Sequence, residues 1–377
     1  MMKEKLNMIK RMMLWSIVFM SLFGVSLEAQ NDYREPELYK GEIIEIVSEE
    51  DSSVQTSGGE YYRRTQILKV ELLDKEKEGE IIEIINNVDE VMAYTLEVEA
   101  GDDIYVFFEY DEEGNELAAH IHEFRRDKDI YILTAVFIIL MVIVGGVKGL
   151  KSLITLGLTV AGIYYLLDGI VSGGHPIFLS IVVSFVLTIV TMFLVAGFNL
   201  KAISAIVGTF GGVIIAGLIA LLVSNTSNLT GLGTTEAQML MYSDHPVAFN
   251  IHGILFASIL LGTLGAVMDV CMSIASAINE VTEANPLMSA MDLFKSGMNI
   301  GRDVMGTMVN TLILAYVGTS VFLILIFMVN DISYVDIVNM DLVATEIVRA
   351  ISGTIGLICA IPLTAFVSAT LEKKVVN

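Results

Sequence analysis

The stretch that decides the fold runs from Gly262 to Asn310: GTLGAVMDVCMSIASAINEVTEANPLMSAMDLFKSGMNIGRDVMGTMVN. It starts within an apolar segment, continues through a polar amphipathic segment, and enters a second apolar helix that begins with polar residues. Asp269 is the one acid predicted to lie deep in hydrocarbon. A charged carboxylate near the bilayer centre costs about 2.5–3.5 kcal/mol on insertion scales, so such residues usually face a bundle interior or a water-filled cavity. The stretch therefore predicts a helical bundle in a membrane and the position of its working centre.

Apolar segments of this kind recur throughout the C-terminal two thirds of the chain. The chain has 377 residues, of which 54% are hydrophobic, and a mean hydropathy of +0.68. Such a composition is typical of an α-helical polytopic membrane protein and excludes a single soluble core. We predict that residues 130–377 form a transmembrane domain of seven helices: 130–147, 152–171, 176–197, 202–223, 252–278, 307–329 and 347–370.

The positive charges predict the orientation of these helices. If the first span enters from outside, the basic residues of the loops all fall on the cytoplasmic side, as the positive-inside rule requires: Lys148, Lys151, Lys201, Lys295, Arg302, Lys373 and Lys374. The C-terminus is then cytoplasmic, and the opposite loops contain acids without Lys or Arg. Arg349 is the exception, and it lies one turn after Glu346, where pairing or snorkelling lowers its cost.

The N-terminal residues 1–29 have a basic start, a short apolar segment and small residues suited to cleavage. They are predicted to be a signal peptide, or alternatively a retained signal anchor. Either one places residues 30–129 outside the cytoplasm. Only Cys271 and Cys359 are present, both in apolar segments, so no disulfide framework is indicated.

Residues 30–129 alternate acids with Ile, Val and Leu in five segments separated by Gly-rich and charged turns, which predicts a small β-barrel or β-sandwich. This domain has 29 Asp and Glu against 10 Lys and Arg, and such an acidic surface argues against nucleic acid as a partner. His120 and His122 share one face of the last strand. They are candidate metal ligands, and solvated histidines on an outward face are the competing interpretation.

Two polar stripes mark the candidate site. On the fifth span, Asp269, Ser273 and Ser276 follow one another at helical spacing toward the cytoplasm. The sixth span and the segment before it present a similar face. The predicted transport site or buried polar network consists of Asp269, Ser273, Ser276, Asn299, Arg302, Asp303 and Asn310. By sign, Arg302 is a counter-charge for Asp303 or for Asp269. A hydrogen-bonded network that only fixes helix packing is the competing interpretation.

The sequence has no phosphate-binding loop, no H-E-x-x-H and no G-x-S-x-G motif. We therefore expect no enzyme activity and no cofactor. The expected partners are the lipid bilayer, a cation or proton as substrate, and a second copy of the chain or a partner membrane subunit.

Four long segments resemble the YibE/F family of bacterial multi-span membrane proteins: residues 194–222, 253–281, 292–318 and 346–366. The resemblance implies a multi-pass protein of the bacterial cell membrane with an outer β domain. It implies no activity, substrate or site residue.

These observations lead to two hypotheses of function. The first is a transporter or permease-like protein that handles a cation or proton through the polar stripes of the fifth and sixth spans. The second is a non-transporting scaffold or envelope-sensing protein whose outer β domain recognises a partner.

Overall fold

The computed structural model describes residues 37–56, 59–74, 76–89, 95–111 and 115–376. The predicted signal segment, residues 1–29, lies outside the described residues. Contacts within the chain divide it into two compact units, Met1–Ala135 and Val136–Asn377.

The first unit contains one antiparallel sheet of five strands in the order β3-β2-β1-β4-β5. Each strand pairs antiparallel with its neighbours in this order. Among the described residues the edge strands β3 and β5 do not pair with each other. The sheet is therefore open, and the prediction of a barrel or a two-sheet sandwich was wrong. The strands are β1 (Leu38–Thr56), β2 (Gly59–Leu72), β3 (Ile81–Asp89), β4 (Asp103–Tyr110) and β5 (Glu116–Phe124).

The period-two alternation of these strands does produce one buried face, as predicted. In β4 every second residue from Ile104 to Phe108 is buried. Gly41 on β1 allows a close approach, because a Cβ atom there would lie 2.6 Å from Val70 Cγ1. The register of β1 on β2 shifts at two points, between Ile43 and Glu45 and between Ile46 and Ser48. Such bulges bend a strand and increase its twist, so the long strand β1 can wrap around the core.

One ion pair ties β2 to β3. Arg63 Nε donates to Asp89 Oδ1 at 2.5 Å and Arg63 Nη2 donates to Oδ2 at 3.0 Å, which is the two-pronged geometry favoured by guanidinium and carboxylate. The two residues are also direct partners in the strand register. The hydrogen bond from Arg63 lowers the pKa of Asp89, against the opposing effect of its burial.

The second unit is helical. Its elements are α1 (Asp127–Val171), which begins in the first unit, α2 (Pro176–Ala196), α3 (Leu200–Thr226), α4 (Thr235–Met241), α5 (Ile251–Ala284), α6 (Ala290–Thr319), α7 (Val321–Val329), α8 (Tyr334–Asn339) and α9 (Asp341–Val376). In the described part of the chain, five helices are long and apolar enough to cross a membrane, namely α1, α2, α3, α5 and residues Asp341–Lys374 of α9. Helices α6 and α7, bent by 62° at their junction, make a sixth if they are counted together.

Helix α1 contains a break that bears on the number of spans. Its 45 residues would extend about 68 Å at a rise of 1.5 Å per residue, roughly twice the thickness of the hydrocarbon layer. Gly146 has non-helical backbone angles, φ 53° and ψ −132°. The chain then turns back, because a Cβ atom on Gly149 would overlap the carbonyl oxygen of Met141, eight residues earlier. This break lies at the end of the first predicted span, residues 130–147.

Helices α3, α5 and α9 form the centre of the bundle, and α3 and α9 meet through small residues. A Cβ atom on Gly212 would lie 2.7 Å from Ala360 Cβ and 2.8 Å from the carbonyl oxygen of Gly356. One turn away, a Cβ atom on Gly208 would overlap Thr364. The glycines spaced four residues apart on α3 therefore allow the two backbones to approach closely.

Helix α6 docks on the same core through a second pair of glycines. Gly297 lies against Ile278 of α5 and Ala365 of α9, and Gly301 lies against Ile274 and Ile361 of the same two helices. Both glycines are buried. Apolar contacts therefore fix the first half of α6 on α5 and α9.

We expect the pairing of β2 with β3 to weaken in acid. The folded pKa of Asp89 lies below the unfolded value of about 3.9, so the stabilisation is complete above that value and is lost as the pH falls through the folded pKa. Hydrogen exchange of peptides from β2 and β3, corrected for intrinsic exchange, at about pH 7 and about pH 3 measures it. Asp89→Asn should lose protection already at the higher pH. An unchanged pH dependence in Asp89→Asn would contradict this assignment.

We expect Gly212→Ala to destabilise the bundle by about 1–3 kcal/mol, because the added methyl group overpacks a contact with backbone. Its melting temperature in detergent should fall by several degrees. Gly157→Ala in α1 is the matched control, since a Cβ atom there meets nothing within 4 Å. Equal melting temperatures for the two variants would show that the α3–α9 contact does not limit stability.

Candidate functional site

Helix α5 has one buried face and one exposed polar face. The buried face packs into the bundle core with Val267, Val270, Cys271, Ile274 and Ile278, each 0% exposed. The exposed residues recur every three or four positions on the opposite side, which is the spacing of one helix face. They are Gly262, Gly265, Asp269, Ser273 and Glu280, with Ser276 half-buried between the last two. We call these residues the polar face of α5.

Asp269 is the centre of this face. Among the described residues its carboxylate has no ion-pair or hydrogen-bond partner in the same chain, and in particular no salt bridge to Arg302. One turn earlier, a Cβ atom on Gly265 would meet nothing within 4 Å. The carboxylate is therefore flanked by open space, although it lies on a helix that is otherwise the most buried candidate span of the bundle.

The predicted polar residues of α6 are exposed as well. Asn299, Arg302, Asp303 and Asn310 all lie on the outer side of α6. Arg302 Nη1 donates to Asn299 Oδ1 at 3.4 Å, and in the described part of the chain Arg302 forms no salt bridge with Asp303. The contact between the helices is made by Gly297 and Gly301, on the opposite side of α6 from Asn299 and Asp303.

The α5–α6 contacts also show which of the predicted residues lie at the same height along the two helix axes. The helices run antiparallel, because Ile278 lies against Gly297 and Ile274 lies against Gly301. Counting residues from these contacts places Ser276 level with Asn299, and Ser273 level with Arg302. The structure therefore brings these predicted residues to common levels, but their side chains do not close on one another through the α5–α6 contact.

A polar cluster at the other end of the face was not assigned to the site from sequence. Arg349 of α9 donates from Nη1 to Glu346 Oε1 at 2.7 Å, which confirms their predicted pairing, and from Nη2 to Ser258 Oγ of α5 at 3.1 Å. Tyr316 of α6 reaches the same region, with its hydroxyl 3.0 Å from where a Cβ atom of Gly262 would lie. Ser258 lies one turn before Gly262, so helical spacing alone extends the polar face to it.

The two histidines of the sheet unit lie on β5, which pairs with β4. His120 Nε2 is 3.3 Å from Glu109 Oε2. Both imidazoles lie beside the ring of Phe107, at centroid distances of 5.3 Å for His120 and 6.1 Å for His122. Among the described residues there is no group of three or more His, Cys, Asp or Glu able to hold a metal ion.

Comparison with protein families now assigns both units. Residues 133–374 match the model of the YibE/F-like protein family, and residues 37–124 match the model of the YibE/F family N-terminal domain. The chain belongs to the YibE/F family. Comparisons with curated proteins and with solved structures give no match. The open sheet is thus the YibE/F N-terminal domain, and the polar face of α5 lies in the YibE/F-like helical region.

We expect the polar face of α5 to be reached by water. After replacement of Cys271 and Cys359 by alanine, Ser273→Cys should react with a hydrophilic maleimide in proteoliposomes. Ile274→Cys is the matched control, because the adjacent residue is 0% exposed, and it should remain unlabelled. Equal labelling of the two positions, or labelling of Ile274→Cys alone, would refute this orientation of the helix. Mass spectrometry of the labelled protein gives the extent of reaction.

Proposed function

We propose that this YibE/F protein is a membrane transporter that moves a proton or a small cation along the polar face of α5. The observation that supports the proposal is the position of Asp269, an exposed carboxylate on a helix whose other side forms the bundle core. Within a bilayer such a group costs about 2.5–3.5 kcal/mol unless water or a polar partner surrounds it. A hydrated path along the polar face removes this cost.

The composition of the face suits a stepwise path. Ser258, Asp269, Ser273 and Ser276 lie on one side of α5, and Gly265, between the first two, leaves the helix backbone uncovered. Hydroxyl and carboxylate oxygens are the ligands that small cations prefer, and they also exchange protons with water. Asp269 is the group on this face able to bind and release a positive charge near the middle of the span.

The proposed topology has seven crossings. The break at Gly146 supports counting the two halves of α1 as two spans, and the bent pair of α6 and α7 supports counting these as one. With the basic loop residues on the cytoplasmic side, residues 30–129 lie outside the cytoplasm and the C-terminus lies inside. The protein is then a multi-pass protein of the bacterial cell membrane.

The proposal also requires a cover for the polar face. In one copy of the chain the polar residues of α5 and α6 are exposed, and lipid cannot solvate them. A second copy or a partner membrane subunit that bounds the face on its open side would enclose a water-filled path. This is the partner that the transport hypothesis implies.

The second candidate function is recognition by the N-terminal domain. The edge strand β3 exposes Ile81 by 59% and Ile85 by 60%. Among the described residues the outer edge of β3 pairs with no other strand, and an apolar edge of this kind is suited to bind an extended segment of another protein. In this alternative the helices anchor the sheet and transport nothing.

We expect Asp269→Asn to abolish transport. Purified protein in liposomes, loaded with pyranine for protons or assayed for Rb⁺ uptake, should show flux that falls to the level of empty vesicles in this variant. Asp331→Asn is the matched control: it makes the same chemical change in an exposed loop, at a left-handed residue with φ 49° that asparagine tolerates. It should transport like the wild type.

Two results would contradict transport. Equal loss of folded protein and of flux in Asp269→Asn would favour a purely structural network, and absence of flux in the wild type would favour recognition. Removal of residues 30–129 separates the two hypotheses further. A transporter should retain some flux without the sheet, whereas a sensor should lose its response.

A further inference from the structure

We infer that Arg349 is the gate of the path along α5: held by Glu346 and Ser258, its guanidinium closes one end of the polar face to cations. This inference rests on the transport function proposed above and adds the residue that controls access to Asp269. It follows from the position of Arg349 on the path, from the incomplete hydrogen bonding around it, and from the hinge beside it.

The guanidinium of Arg349 occupies the polar face itself. Its Nη2 donates to Ser258 Oγ at 3.1 Å, and Ser258 lies on the same side of α5 as Gly262, Gly265 and Asp269. Ser258 and Asp269 are separated by 11 residues in the numbering, or about 16 Å along the helix axis. A cation moving along this face away from Asp269 therefore meets the guanidinium that is bound to Ser258 through Nη2 and to Glu346 through Nη1. An arginine at such a point is an electrostatic barrier to cations.

Tyr316 of α6 completes the closure. Its hydroxyl lies over Gly262, 3.0 Å from where a Cβ atom would be, between Ser258 and Asp269. Any side chain at position 262 would occupy the same space. Three helices thus meet across one turn of the path: α5 through Ser258 and Gly262, α6 through Tyr316, and α9 through Arg349.

The closed arrangement leaves two buried groups unsatisfied. Within the described residues, Tyr316 Oη and Arg349 Nε are buried and have no hydrogen-bond partner. A buried polar group without a partner is destabilising, so the closed state lacks interactions that an open, hydrated state would supply. Glu346 and Arg349 are three residues apart on the same helix, α9. Their ion pair therefore moves with α9 and does not hold the three helices together.

A hinge lies beside the gate. Helix α6 ends at Thr319, three residues after Tyr316, and α7 starts at Val321 at an angle of 62°. Breaks of this kind absorb the angular change when one element moves against its neighbours. Displacement of this end of α6 would lift Tyr316 from Gly262 without a change in the core contacts of α5 with α3 and α9.

The test compares uptake of Rb⁺ and of protons into proteoliposomes that contain the full chain. Arg349→Gln removes the positive charge and leaves the carboxylate of Glu346 without its counter-charge, so it should raise cation uptake roughly tenfold. Arg349→Lys keeps the charge but not the forked geometry and should raise it less. The double variant Arg349→Gln with Asp269→Asn should return to the level of empty vesicles. Lys148→Gln, which removes an exposed cation from α1, should leave uptake unchanged.

A structural role for Arg349 would lower uptake, so a gain of flux separates gating from folding. If Arg349→Gln does not yield folded protein, Ser258→Ala tests the same contact with the ion pair intact and should show a smaller gain. Asp269-dependent flux that is equal or lower in these variants would overturn the gate and leave the transport function standing. The absence of Asp269-dependent flux from the wild type and every variant would overturn both.

Discussion

The close contact between α3 and α9 is the constraint on which the bundle depends. Gly212 and Gly356 lie so near each other that a Cβ atom on either would lie within 2.8 Å of the other's carbonyl oxygen. Backbones at this distance gain dispersion energy along several turns, which is the main attraction available to helices that are already surrounded by lipid. A Cβ atom on Gly212 would also lie 3.0 Å from Val267 Cγ1. Helix α5 therefore packs against the same point of α3. This packing determines which side of α5 faces the core.

This packing explains why the polar face is exposed. With Val267, Cys271 and Ile274 directed into the core, the side of α5 that bears Asp269 and Ser273 must point away from it. A polar network built only for packing would face the other helices and be satisfied there. Asp269 is instead exposed beside the open space at Gly265. An arrangement of this kind favours a path over a purely structural network.

Periodicity predicts much of this architecture, because it depends on residues close together in the chain. The strands and most of the apolar helices follow from the spacing of apolar residues. Spacing does not predict whether the sheet closes into a barrel. Closure requires β3 to pair with β5, and the distance between these edge strands depends on the curvature of the whole sheet. Periodicity likewise identifies the polar faces of α5 and α6 without giving the direction in which each one points. The contact of Tyr316 with Gly262 depends on packing between helices distant in sequence, and no local pattern predicts it.

The distribution of glycines also indicates which helix is able to move. Helices α3, α5 and α9 share contacts along their length, so relative motion among them would open the core. Helix α6 is held differently: Gly297 and Gly301 fix its first half, whereas its second half ends at the bend before α7 and touches the polar face through Tyr316. A helix fixed at one end and hinged at the other changes its position with little loss of buried apolar surface. In the transport function proposed above, access to Asp269 would be controlled at this end of α6, beside Arg349, and the polar face of α5 would be the stationary element.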